Sequence, residues 1–122
     1  ILYVSGQISR TGSGAVQTGK LGATLDVGKG REAARTCALS ILAQAKAALG
    51  SLEKIERIVK LTGFVNATPD FKEHPQVVNG ASDLLVEVLG DKGRHTRSAV
   101  GVASLPLDAA VEIEAMIAIA KA

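Results

Sequence analysis

The sequence predicts an α+β protein in which two helices pack on one face of a mixed β-sheet. Residues 31–49 place Ala34, Cys37, Ala38, Ile41, Leu42, Ala45, Ala48 and Leu49 at spacings of three and four, which gathers them into one buried helical stripe. After Pro75 the same spacing returns in Val77, Val78, Ala81, Leu84, Leu85, Val88 and Leu89. Around these stripes lie segments with a period of two, residues 58–65 and the run 94–118, which is the signature of strands. A chain of 122 residues fits a single domain spanning residues 1–122.

In chain order, residues 1–8 are rich in β-formers and pass through Ser5-Gly6-Gln7. Gly6 removes a side chain there, as a bulge or a close approach to the backbone requires. The chain opens already inside this strand, so a segment preceding it is expected to be missing. Thr11-Gly12-Ser13-Gly14 signals a hairpin, with a weak strand expected over residues 15–21. Gly28-Lys29-Gly30 lacks the rest of a phosphate-loop pattern and is taken as the entry to the first helix, which Gly50 ends. Residues 51–56 form a polar connection. Pro69-Asp70 turns the chain, His74 is assigned to the surface, and Pro75 suits the first turn of the second helix. Asn79 lies near the start of that helix, where a solvated polar residue is one reading, and Gly90 closes it.

The run 94–118 is expected to be a hairpin, two apolar strands joined by Leu105-Pro106-Leu107-Asp108. Arg97 heads the first strand; Glu112 and Glu114 lie inside the second. Such an arginine and carboxylate either hold a ligand or neutralise each other as an ion pair. The predicted order is strand, strand, helix, strand, helix, strand, strand. Neither face of the last two strands is plainly polar, and two helices cover only one, so self-association with closed rotational symmetry is expected.

Composition narrows the function classes. A net charge of +2, two Phe, one Tyr and no Trp argue against a nucleic-acid partner, because little is available for phosphate neutralisation or base stacking. The single Cys37 is expected to be a small core residue. With no internal disulfide possible and no metal-ligand spacing, a reducing, cytoplasmic setting is expected. No apolar run approaches the roughly 20 residues of a membrane span, and no signal-like segment opens the chain, so no membrane partner is expected.

Ser5-Gly6-Gln7, Asn79, the Arg97-Ser98 pair, Leu105-Pro106 and Val111-Glu112-Ile113-Glu114-Ala115 occur together in an order and spacing that resembles the YjgF/RidA family. The resemblance spans almost the whole chain. It implies a chorismate-mutase-like protomer assembled as a homotrimer with clefts between subunits. It further implies a 2-iminobutanoate/2-iminopropanoate deaminase, which hydrolyses reactive 2-imino acids to 2-keto acids and ammonia without metal or organic cofactor. On that reading Arg97 holds the substrate carboxylate and Glu112 orients or deprotonates water. Ser5, Gly6 and the carbonyl of Ala99 help position the reactants, and Asn79 lines the cleft.

The chain departs from the family pattern in places. Active deaminases usually carry Cys two residues after the arginine, where this chain has Ala99. They also take an aromatic cleft residue from a segment before the first strand. The Gly93-Arg94-His95-Thr96 lead into Arg97 resembles a divergent branch, and His95, two residues from Arg97 on extended backbone, is expected to narrow or recharge the cleft. These departures keep a second reading open, a non-catalytic module that binds small carboxylate metabolites. Endoribonuclease or translation-inhibitor activity, attached to some family members, fits the charge and aromatic content least well.

Overall fold

A computed structural model describes residues 1–121. Its strands are β1 (Leu2–Ile8), β2 (Ile55–Asn66), β3 (Thr96–Val102) and β4 (Val111–Ile119), and its helices are α1 (Val27–Leu49) and α2 (His74–Leu89). The sheet order is β1-β4-β2-β3, with β3 parallel to β2 and the other two pairings antiparallel.

The predicted helices form where their stripes lie, and their ends have local causes. The Asp26 carboxylate accepts from the Lys29 amide at 2.9 Å and starts α1 four residues earlier than the apolar stripe suggests. Gly50, at φ 85°, stops it in the left-handed conformation glycine adopts without strain. Pro75 occupies the first turn of α2, where its missing N–H costs no bond. Ala33, Ala34, Ala38 and Ala45 of α1 are fully buried. Gly80 of α2 packs directly on the Arg31 backbone, so small residues set the helix–helix distance. α1 lies over β1 and β4, and α2 over β2 and β3.

Only one face of the sheet is covered. Leu61, Val65, Val111, Ile113 and Ile117 are fully buried beneath the helices. Burying each such side chain contributes about 1.5–3 kcal/mol. The alternate positions Lys60, Thr62, Phe64, Glu112, Glu114 and Met116 face the other way and are exposed or half-buried.

Two expectations are corrected. Residues 15–21 do not form a strand; the segment between β1 and α1 is a loop pinned by isolated bridges such as Thr18 with Ala109 and Leu21 with Ala67. The fully buried Ser9 anchors it, donating to the Gln17 carbonyl at 2.9 Å and accepting from the Ala110 and Val111 amides at 3.2 and 3.3 Å. Nor do β3 and β4 form a hairpin. β2 lies between them, because β2–α2–β3 is a crossover unit that places β3 parallel on the far side of β2. The connection carries Leu107 and Asp108 at φ 57° and 59°, and it carries the chain past β2 instead of folding it back. The polar connection after α1 contains a short 3-10 turn, Leu52–Lys54.

Candidate functional site

The expected site residues fall into two groups on opposite faces of the sheet. One group is built on β1 and β4. The register of β1 against β4 slips between Val4 and Gln7, so Ser5 and Gly6 together oppose Glu114 in a bulge. Ser5 and Glu114 line a shallow cavity of about 380 Å³ on the open face, with Tyr3, Lys60, Thr62 and Met116. Gly6 lies under the Glu112 side chain: a Cβ on Gly6 would collide with the Glu112 carboxylate. Glycine at this position is therefore what lets Glu112 lie across the backbone.

The second group is built on β3 and α2, on the covered side. Arg97 Nη1 donates to the Ser82 hydroxyl at 3.1 Å and Nη2 to the Pro75 carbonyl at 3.2 Å. Both acceptors are neutral, so the guanidinium is fixed without being neutralised. Asn79 lies four residues after Pro75 and three before Ser82, on the stripe of α2 that Arg97 spans. Ala99 follows Arg97 on the same side of β3, and its methyl is half-buried against the core.

His95 precedes β3 and is tied down at both nitrogens. Nδ1 meets the Gly93 carbonyl, which can only accept, so Nδ1 carries the proton of the neutral ring. Nε2 then accepts from the Ser82 hydroxyl at 2.8 Å. Ser82 thus donates to His95 while accepting from Arg97, a link the sequence reading missed because Ser82 is thirteen residues away from His95. Burial holds the His95 pKa below its ordinary value; the Gly93 bond opposes that, and the Arg97 charge adds to it.

Arg97 and Glu112 do not meet within one protomer. β2 separates their strands, and the register sets Arg97 opposite Leu61 but Glu112 opposite Phe64, so they are two strand spacings apart across the sheet, three residues apart along it and on opposite faces. The ion-pair alternative is thereby excluded within the chain: among the described residues the ion pairs are Arg35–Glu87 and Arg94–Asp91.

Cys37 is a core residue, its Sγ 3.5 Å from the Val111 carbonyl. Burial, and secondarily the Glu112 charge, hold its thiol far above the ordinary range, so it is not a nucleophile. Among the described residues no three His, Cys, Asp or Glu side chains converge as metal ligands, and no helix is long and apolar enough to cross a membrane. His74, expected at the surface, is half-buried and packs edge-on against Phe71 with ring centroids 5.2 Å apart.

Comparison with known proteins places these features in context. Residues 1–118 match the family model described as "YjgF/chorismate_mutase-like, putative endoribonuclease". The chain is 52% identical over 117 residues to "Protein TCP17" of Trypanosoma cruzi, covering 95% of this chain and 73% of that protein. Among solved structures, the protein Atu1372 of Agrobacterium tumefaciens, of unknown function, superposes with a TM-score of 0.93 at 51% identity, covering 97% of this chain and 77% of the other. TdcF of E. coli, solved with bound serine, superposes with a TM-score of 0.62 at 27% identity, covering 98% of this chain and 80% of the other.

Proposed function

The chain belongs to the YjgF/RidA family, and from that premise we propose that it hydrolyses 2-imino acids to 2-keto acids and ammonia at clefts shared between copies of itself in a homotrimer. The observation that carries this reading is the pair of uncompensated charges. Arg97 is held by neutral acceptors, Glu112 lies over Gly6 without a cationic partner among the described residues, and the sheet keeps them apart.

Two such half-sites complete each other when the β3 rim of one copy meets the β1 rim of the next. This is a head-to-tail contact that closes into a ring. In the cleft so formed, Arg97 takes the substrate carboxylate in a charge-assisted bond. Its orientation is set by Ser82 and Pro75. Glu112 of the adjacent copy accepts a proton from water as the water oxygen bonds to the imine carbon. From the protonated imine this gives a neutral carbinolamine, whose nitrogen takes the proton back from Glu112; the C–N bond then breaks with its electron pair leaving on ammonia, while the carbinol O–H gives its proton to the Glu112 carboxylate and its electron pair to the keto C=O bond. Water and these side chains suffice, so the proposal names no cofactor. The serine bound in TdcF supports the ligand class, since an amino acid presents the same α-carboxylate and neighbouring nitrogen. A cytoplasmic setting, where such imines arise, agrees with the unpaired buried Cys37.

The test is complementation. Arg97→Met and Glu112→Gln are each expected to abolish single-turnover hydrolysis of freshly generated 2-iminopropanoate. Refolded together at equal ratio, they restore about one quarter of the wild-type clefts, because each cleft then draws an intact arginine and an intact glutamate with even odds. Wild-type rates in Arg97→Met would overturn the assignment.

A second reading, capture of a small carboxylate without turnover, is favoured by Ala99, which supplies no thiol beside the arginine. In that case the imine analogue saturates the cleft and no ammonia appears. The family description also names endoribonuclease activity. The net charge of +2 and three aromatic side chains, two Phe and one Tyr, give that reading the least support.

A further inference from the structure

A cavity of about 440 Å³ opens where the parallel strands β2 and β3 end and α2 begins. In a β–α–β unit this is where ligands dock, because the strand ends leave a crevice beside the helix start. α2 starts here without a side-chain cap and without an acidic residue in its first turn.

Lys20 supplies the charge. Its ammonium donates to the Asn66 side-chain oxygen at 2.8 Å and to the Ala103 carbonyl, which leaves one of its three N–H groups free. Asn66 is fully buried and locked in turn, donating to the Gly19 and Ala109 carbonyls at 3.1 Å each, so the ammonium sits on a fixed mount. No carboxylate lines the cavity, and among the described residues none lies within 4 Å of the lysine nitrogen. Acids do stand nearby: Asp70 takes the Thr68 hydroxyl at 2.7 Å, Asp108 lies 3.5 Å from the Asn66 amide, and Glu73, at the start of α2, lines the adjoining cavity instead. His74 forms a second polar wall, held edge-on by Phe71 and lying over Gly101, where any Cβ would strike its ring. Apart from Thr68, whose hydroxyl is given to Asp70, the remaining lining is apolar, chiefly Pro69, Phe71 and Val102.

We propose that this cavity binds a monocarboxylate with a compact apolar body, its carboxylate on Lys20 and His74 and its body against Pro69, Phe71 and Val102. One fixed cation with apolar walls matches that class better than a phosphate, whose oxygens demand several donors. The site does not rest on the imine reading, since neither Glu112 nor Gly6 borders it and Arg97 is outside its lining.

The probe is benzoate, titrated into 15N-labelled full-length protein, with benzamide as the neutral isostere and inorganic phosphate as the small anion. Benzoate is expected to shift the Thr68, Gly101 and Ala103 amides saturably, while benzamide and phosphate leave them in place. Lys20→Met weakens benzoate about tenfold or more, as loss of a charged hydrogen bond predicts, and Lys20→Arg retains it. Arg97→Met leaves the shifts intact, which separates this site from the proposed catalytic cleft. Equal shifts from benzamide, shifts from phosphate, loss of the shifts in Arg97→Met, or no saturable shift in wild type would each overturn the proposal. The benzamide comparison uses unmodified protein and decides the matter even if Lys20→Met fails to fold.

Discussion

Arg97 reaches from the edge strand to α2 and donates to the Ser82 hydroxyl at 3.1 Å, so the direction of its charge is set by a residue of another element. Ser82→Ala removes that hold and leaves the His95 Nε2 without its donor. Stability is expected to fall by about 1 kcal/mol. Substrate affinity is expected to fall by about threefold to tenfold while kcat changes less, because the anchor loosens without moving the base. Urea unfolding and the split between KM and kcat check this; Ser82→Thr, which keeps the hydroxyl, is expected to recover most of the loss.

His95 is folded in its neutral form, with a pKa below the unfolded value. The folded state then binds fewer protons than the unfolded one in the interval between those values. Stability from this group is therefore full above about pH 6.5 and is lost as pH falls from there through the lowered folded value. Urea midpoints at pH 7.5, 6.0 and 5.0 should show the decline, and His95→Gln should flatten this part of it.

Gly6→Ala places a methyl where the Glu112 carboxylate lies. The bulge is solvent-exposed, so the fold is expected to tolerate the change through a shift of the flexible glutamate side chain. Turnover is expected to fall by about tenfold to a hundredfold, since a displacement of about 1 Å at a reacting group costs that much. A Gly6→Ala protein with the wild-type kcat would place Glu112 outside the chemistry.

Gly80→Ala tests packing instead of chemistry. Its methyl would meet the Arg31 carbonyl of α1, which is backbone and cannot swing aside. Forcing the helices apart is expected to cost about 1–3 kcal/mol or more, read as a lower thermal midpoint.

The parts of the fold legible in the sequence are those decided by local periodicity. Both helix stripes, apart from Ala48 and Val88 at their C-terminal ends, which are exposed, and the alternation of β2 place residues on the faces they occupy, and Gly50, Pro75 and Gly90 mark boundaries through chemistry that needs no tertiary contact. The false hairpin has a physical reason. Leu105-Pro106-Leu107-Asp108 is a turn, but which strands flank it is decided by β2, written forty residues earlier and seated between them. The same holds for the site. Gly6 was noticeable as a gap in an apolar strand, whereas its occupant, the Glu112 side chain, is more than a hundred residues away. Ser82, Lys20 and Asn66 carried no signal, because their partners are carbonyls, hydroxyls and amides brought close only by the finished fold.

The strand order leaves β1 on one rim of the sheet and β3 on the other, each hydrogen-bonded to a single neighbour. A contact joining unlike rims contains no two-fold axis, so every copy that adds on presents a fresh rim to the next. Growth stops only when the rotation per step divides a full turn. A small change in that angle converts a closed ring into an open fibre without weakening any single contact. In the proposed ring, substitutions at the rims would thus act on the geometry of assembly before they act on its strength.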